Sequence, residues 1–252
     1  MNSFTEHIAA FDPISKPDSG KLVYLEPVEM DYTFPNGVFQ QLIEQIKGRY
    51  SIITFNNSRY RTFRTLYFDT TKNKLYIASH NGKRNRKMVR YKHCVESDVT
   101  FLEVKFINRK GRIKKKSLKV DGIKSAFSKD EIAFLKKVMP KKRILKLEPR
   151  LAYHYKRIVL ANKKGNEQLT IDSDIKFIYN DTEVKSPEFS FAQIKVDRYS
   201  ENSSFIKGLR DLGIRKGQIG KYVLGMSIFG NQKANLFNGI THRINKIIES
   251  YD

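Results

Sequence analysis

The 252-residue chain has one cysteine, Cys94, and no tryptophan, and its 26 Asp and Glu are outnumbered by 48 Lys and Arg. A single thiol excludes an intramolecular disulfide and a cysteine-built zinc site, and it fits a reducing compartment. Long apolar runs are missing as well. No segment approaches the roughly 20 apolar residues of a membrane-spanning helix, and the opening MNSFTEHIAAFDPISKPDSG lacks the basic flank and apolar stretch of a signal peptide. The chain therefore reads as cytoplasmic, although a basic face could still dock on a membrane. The shortage of acid leaves a formal charge of +22, beyond what solubility requires. An anionic partner is expected, with nucleic acid, nucleotide, anionic membrane and polyanion all open, since net charge reports sign and not geometry.

With 40% hydrophobic residues, the chain can bury a core as one large domain or two small ones. Residues 1–20, rich in Pro, Ser and Asp without periodicity, read as a flexible N-terminal arm or a strap; residues 21–252 read as one structured domain. Val38, Phe39, Leu42, Ile43 and Ile46 fall at helical spacing behind Asn36 as N-cap. The period then shortens to two over 51–55, 61–69, 75–79, 88–95 and 100–107, segments divided by turn signals, which predicts an antiparallel meander. Ser128 and Glu131 form a capping box for a helix that Pro140 ends. A second β-rich half follows over 151–160, 168–171, 176–179 and 189–196, then a short helix over 204–212. A last helix carries Phe237, Ile240, Ile244, Ile247 and Ile248.

Alternation gives several strands one apolar and one cationic face. Leu102 and Val104 oppose Glu103 and Lys105, and Arg90 shares a face with Lys92, as Arg157 does with Tyr155. One such strand is ordinarily a wet surface strand with snorkelling cations. Several side by side would repel one another at the ~5 Å strand spacing unless an anion sat among them. A sheet curled on itself resolves this, with its apolar outside packed under helices and its inside basic. The expected fold is α+β: an antiparallel β tunnel, a closed or nearly closed barrel of about eight strands, with helices outside. FLEVK (101–105) and FAQIK (191–195) repeat the pattern, which puts Lys195 in a similar environment to Lys105.

The ordered set RYRTFRTLYFDT, LYIASHNGKRNRKMVRYK, TFLEVKFINRKGRIKKK, YHYKRIVL, LTID and GKYVLG, spanning roughly residues 22–227, resembles the vacuolar transporter chaperone (VTC) domain of bacterial proteins. The resemblance implies the triphosphate tunnel metalloenzyme fold, related to the CYTH superfamily. It implies a polyphosphate polymerase that moves the terminal phosphate of its substrate ATP onto a growing chain with a divalent metal, Mn²⁺ or Mg²⁺. It places Arg90 and Lys92 on the family's phosphate-gripping R-x-R pair, with lysine in the second place. Lys105, Lys115, Arg157 and Lys221 fall on its other phosphate contacts, and Lys195 joins them as a phosphate-binding candidate. Polyphosphate or a nucleoside triphosphate is the implied partner, and a membrane-protein partner that threads product away is left open.

The chain also departs from the family pattern. Asp31 stands where the first tunnel strand usually carries lysine, Ser117 and Gln168 replace arginines, Gln218 replaces a lysine, and Gln193 replaces a metal-binding glutamate. Two readings follow: a polymerase whose metal site has shifted to Glu29, Asp31 and Glu103, or a catalytically impaired homologue that binds polyphosphate or nucleotide without turnover. A nucleic-acid-binding module is a third, suited by 17 Phe and 13 Tyr for base stacking. It lacks an RNP-type motif, C2H2 spacing and a helix-turn-helix. GIRKGQIGKY misses the phosphate-loop spacing, with Tyr222 where Ser or Thr is needed.

Overall fold

Because apolar and cationic residues alternate through most strands, the sheet must separate two incompatible faces, and it does so by curling. The computed structural model describes residues 3–15, 27–107, 113–185, 189–197, 203–217, 220–229, 235 and 242. In chain order, α1 (Ser3–Ile8) and β1 (Asp12–Ser15) precede β2 (Pro27–Pro35), a 3-10 turn (Asn36–Val38) and α2 (Phe39–Ile46). The first β half is β3 (Tyr50–Thr54), β4 (Arg61–Thr70), α3 (Lys74–His80), β5 (Arg86–Cys94), β6 (Val99–Ile107) and β7 (Ile113–Val120). After α4 (Lys129–Lys136) and α5 (Lys141–Ile144) come β8 (Leu147–Asn162), β9 (Glu167–Tyr179), β10 (Thr182–Lys185) and β11 (Phe189–Asp197), then α6 (Ser204–Asp211) and α7 (Lys221–Ile228).

Eight strands form one antiparallel path, from β2 through β11, β9, β8, β4, β5 and β6 to β7, with β3 and β10 added at β8 and β9. Among the described residues β2 and β7 do not pair. Glu29 of β2 and Lys115 of β7 nevertheless line one cavity, so the two ends of the sheet curl round a common interior. This is the expected antiparallel tunnel, with α2, α4 and α6 packed on its outside and α7 lying against its aromatic interior. No described helix is long and apolar enough to cross a membrane.

The outer faces are the apolar ones. Val89, Tyr91, Leu102 and Val104 pack with Leu135 and Met139 around α4, whose capping box forms as the sequence predicts. Ile158, Leu160, Leu169 and Ile171 pack under Leu42 of α2 and Leu209 of α6. A third, aromatic core, including Tyr67, Tyr153, Phe177 and Phe191, fills the interior beside Tyr76 of α3 and Tyr222 of α7. There α7 lies directly on the sheet. A Cβ on Gly225 would come within 2.5 Å of Leu151 and 2.6 Å of Phe177, so only glycine permits this approach.

Several local expectations are corrected. Residues 75–79 are helix and not strand: Asp69, fully buried, accepts from the Leu75 and Tyr76 backbone N–H groups at 2.8 and 2.7 Å, capping α3 from six residues upstream. The two strands expected over 168–179 are one, β9, with Asp174 in the left-handed region at the register shift opposite His154–Lys156. Asn36 is not a cap; its Oδ1 accepts from the Ser190 hydroxyl at 2.7 Å. Residues 3–15 form a strap, with Ile8 and Phe11 buried, β1 parallel to β3, and Arg59 Nη1 donating to the Ile8 and Phe11 carbonyls at 3.2 and 2.7 Å. The helix expected around 237–248 lies, except for residue 242, outside the described residues.

Candidate anion-binding lumen

Alternation on β4, β5, β6 and β8 turns outward the residues that meet the helices and turns inward the charged ones between them. The inner chamber, about 400 Å³, is lined by Arg90, Lys92, Lys105, Lys115, Arg157 and Lys221, six of the seven cations expected to bind phosphate. Glu29, Asp172, Gln193 and Tyr67 complete much of its wall. Lys195 lies on β11 in register with Glu29 and Gln168 and lines neither this chamber nor the next. The second chamber, about 720 Å³, shares Lys92, Lys115 and Arg157 with the first and is also lined by Asn56, Asn57, Glu96 and Ser97. Glu103 and Ser117 face this outer chamber. Gln218 is outside the described residues.

Two clusters of one design organise the wall. On neighbouring strands β5 and β6, Arg90 faces Glu103; its Nε and Nη2 donate to Glu103 Oε2 at 2.9 and 2.6 Å, and Nη1 reaches the Tyr67 hydroxyl at 3.2 Å. Lys115 Nζ holds Oε1 at 3.3 Å from β7. On β8 and β9, Arg157 faces Asp172 and grips both oxygens, Nε to Oδ1 at 2.5 Å and Nη2 to Oδ2 at 2.8 Å. Lys221, at the start of α7, also donates to Oδ2. Asp172 is the principal site residue not singled out from the sequence. The signal was the LTID segment, whose alternation places it beside Arg157 once β8 and β9 are paired.

Burial and company set the charge states. Burial resists ionisation of Glu103, but Arg90, Lys92 and Lys115 overcome it and hold its carboxyl at about 2. Asp172 is held lower still, because Arg157 and Lys221 outweigh its complete burial. Arg90 and Arg157 are both raised above the ordinary guanidinium value, burial being outweighed by Tyr67 and Glu103 for the first and by Asp172 and Tyr155 for the second. Lys92 is different. Burial, and then Arg157 and Arg90, push it down to about 6, and among the described residues no carboxylate pairs with it; its ammonium sits 4.2 Å from the Phe63 ring centroid. Burial also lowers Lys105, with Arg90 adding to the shift, and brings Lys221 to about 8 despite Asp172.

In the lumen wall two pairs of cations stand directly opposite each other across strands, Lys105 with Lys115 and Arg61 with Arg157. Such pairs are destabilising, and an anion lying between them relieves the repulsion.

The expected metal ligands do not come together. Glu103 is engaged by two cations, while Glu29 and Asp31 lie on β2, where Asp31 Oδ1 accepts from the Gln193 amide at 3.0 Å. Among the described residues no group of three or more His, Cys, Asp or Glu could hold a metal ion. A hard divalent cation needs several oxygen ligands with negative charge among them, so these residues do not make a resident metal cage.

The VTC domain matches over residues 29–229, four-fifths of the chain. No curated protein matches. Among solved structures, the chain is similar to HpAC1 from Hippeastrum, a putative adenylyl cyclase with a dominant triphosphatase activity (13% identity, 81% of this chain and 96% of that one, TM-score 0.46). It is also similar to the PH1819 protein of Pyrococcus horikoshii OT3 (12%, 79% and 96%, 0.44). A putative adenylate cyclase from Vibrio parahaemolyticus gives 11% identity, coverage of 81% and 99%, and a TM-score of 0.41.

Proposed function

Because the chain belongs to the VTC-domain family, we propose that its lumen binds linear phosphoanhydride chains, either polyphosphate or the triphosphate of ATP. The activity we assign is extension of polyphosphate by the terminal phosphate of ATP, with residues 21–252 acting as one tunnel domain. The observation that carries this reading is the convergence of Arg90, Lys92, Lys105, Lys115, Arg157 and Lys221 on one chamber with too few carboxylates to balance them. Phosphoryl transfer asks a protein chiefly to position the groups and neutralise charge. Arg90 and Arg157, locked by Glu103 and Asp172, supply fixed donors, and Lys92 and Lys105 supply charge that phosphate would complete. An Mn²⁺ or Mg²⁺ ion would arrive with the triphosphate as part of the substrate, since among the described residues no group of three or more His, Cys, Asp or Glu could hold it.

One observation favours the second reading, binding without turnover. Gln193, where the family pattern has a metal-binding glutamate, spends its amide on Asp31, and a neutral amide lacks the charge that draws a hard cation. Incubation with ATP, Mn²⁺ and a short polyphosphate primer, followed by gel analysis of chain length, separates the two. Elongation supports the polymerase. Folded protein that binds polyphosphate without lengthening it supports the impaired homologue, and displacement of polyphosphate by long single-stranded DNA or RNA would return the case to an open nucleic-acid groove.

A further inference from the structure

The outer chamber holds an arginine to which the proposed function gives no part. Arg61, on β4, stands directly opposite Arg157 in the β4–β8 register. Its guanidinium lies 3.8 Å from the Phe55 ring centroid and 5.4 Å from that of Phe63. Its Nε is buried and, among the described residues, has no hydrogen-bond partner. Phe63 is thus ringed by three basic side chains, with Lys92 Nζ at 4.2 Å and the Arg157 guanidinium carbon at 5.4 Å from its centroid. Glu96, the nearest acid by sequence in this wall, is occupied by the Thr62 backbone N–H, which donates to both its oxygens at 2.7 and 2.8 Å.

A buried donor without an acceptor and a like-charge pair are each unfavourable in the empty protein. Both are relieved by the same thing, an oxyanion seated between Arg61, Lys92 and Arg157. Stacking on Phe55 fixes the plane of the guanidinium, so its donors are held in advance of the ligand. Resting on the phosphate-chain reading of the lumen, we infer that the outer chamber is a second phosphate subsite built on Arg61, which makes the site prefer a linear polyphosphate long enough to fill both chambers over a nucleoside triphosphate. The two chambers adjoin at Lys92, Lys115 and Arg157, which line both, so an unbranched chain that spans them meets these cations at the junction and Arg61 beyond it. A nucleotide that places its triphosphate in the inner chamber has no phosphate left for the outer one.

The test compares binding of long-chain polyphosphate, tripolyphosphate and ATP to the full chain by titration calorimetry, in the wild type, Arg61→Gln and Arg61→Lys. Arg61→Gln is expected to weaken the long chain about 10- to 100-fold, the loss of one charge-assisted contact, and to leave tripolyphosphate within about twofold. Arg61→Lys falls between, keeping charge and losing the fork. The ligand-free Arg61→Gln protein is expected to melt no lower than wild type, because substitution removes the repulsion with Arg157. Equal loss for the long chain and tripolyphosphate, or none for either, overturns the subsite. Loss confined to ATP also overturns it, by placing the base in the outer chamber. Wild-type protein that binds none of the three removes the phosphate-chain reading itself, a different result from a wild type that binds and a variant that does not discriminate.

Discussion

The two Arg–carboxylate–Lys clusters share a plan and differ in where the third member comes from. In both, an arginine and a carboxylate face each other on adjacent strands. In the first, the lysine arrives from β7, at the end of the strand path, and Lys115 remains 56% exposed. In the second, it arrives from a helix laid across the interior, and Lys221 is 15% exposed. The arginine forks differ accordingly: Arg157 spans both oxygens of Asp172, whereas Arg90 places two donors on one oxygen of Glu103. A charge cluster closed by a helix becomes part of the core. One closed by an edge strand stays adjustable, and its lysine can leave the carboxylate for a ligand without exposing a buried group.

The comparison is broken most directly by deleting each carboxylate. Asp172→Ala leaves two buried cations uncompensated and is expected to cost about 3–5 kcal/mol in urea denaturation. Glu103→Ala, whose lysine can turn to water, is expected to cost about 1–3 kcal/mol. Equal losses would mean that the closure by α7 makes no difference.

Acid provides a gentler test. Both carboxylates take up a proton less readily folded than unfolded, so the stability they confer is complete above the ordinary carboxylate range near pH ~4 and is lost as pH falls through their folded values. Glu103 titrates out at about 2, and Asp172 is held lower. Wild-type stability, followed by denaturation midpoint, is therefore expected to start falling below pH ~4 and to keep falling past pH ~2. The part lost last should vanish in Asp172→Asn and persist in Glu103→Gln.

The smallest effect belongs to Lys115→Ala, a half-exposed partner whose removal is expected to change stability by less than about 1 kcal/mol. A larger drop, measured in the same urea titration, would show that the first cluster is as closed as the second.

Much of this was legible because a period of two cannot hide which residues share a face. The inward direction of Arg90, Lys105 and Arg157 followed from the impossibility of leaving so many cations side by side, and the Ser128–Glu131 box followed from local chemistry alone. What failed did so for want of long-range information. LYIAS reads as a strand because the group that caps it as a helix, Asp69, belongs to the preceding strand. Asp174 and its neighbours read as a turn because a left-handed residue ends strands more often than it bends one. The roles of Asp172 and Arg61 emerge only from register, which decides that one faces Arg157 as a partner and the other as a rival.

Among the described residues no ladder joins β2 to β7, which gives the wall the mechanics of a split ring instead of a hoop. A fully hydrogen-bonded barrel has its girth fixed by strand number and stagger. Across the gap, Asp31 and Glu29 of β2 act by charge on Lys105 of β6, the strand beside β7, an attraction that salt weakens and an anionic guest redistributes. The bore is therefore gauged by what occupies it and by ionic strength, and widening it costs no backbone hydrogen bond between the described residues of β2 and β7.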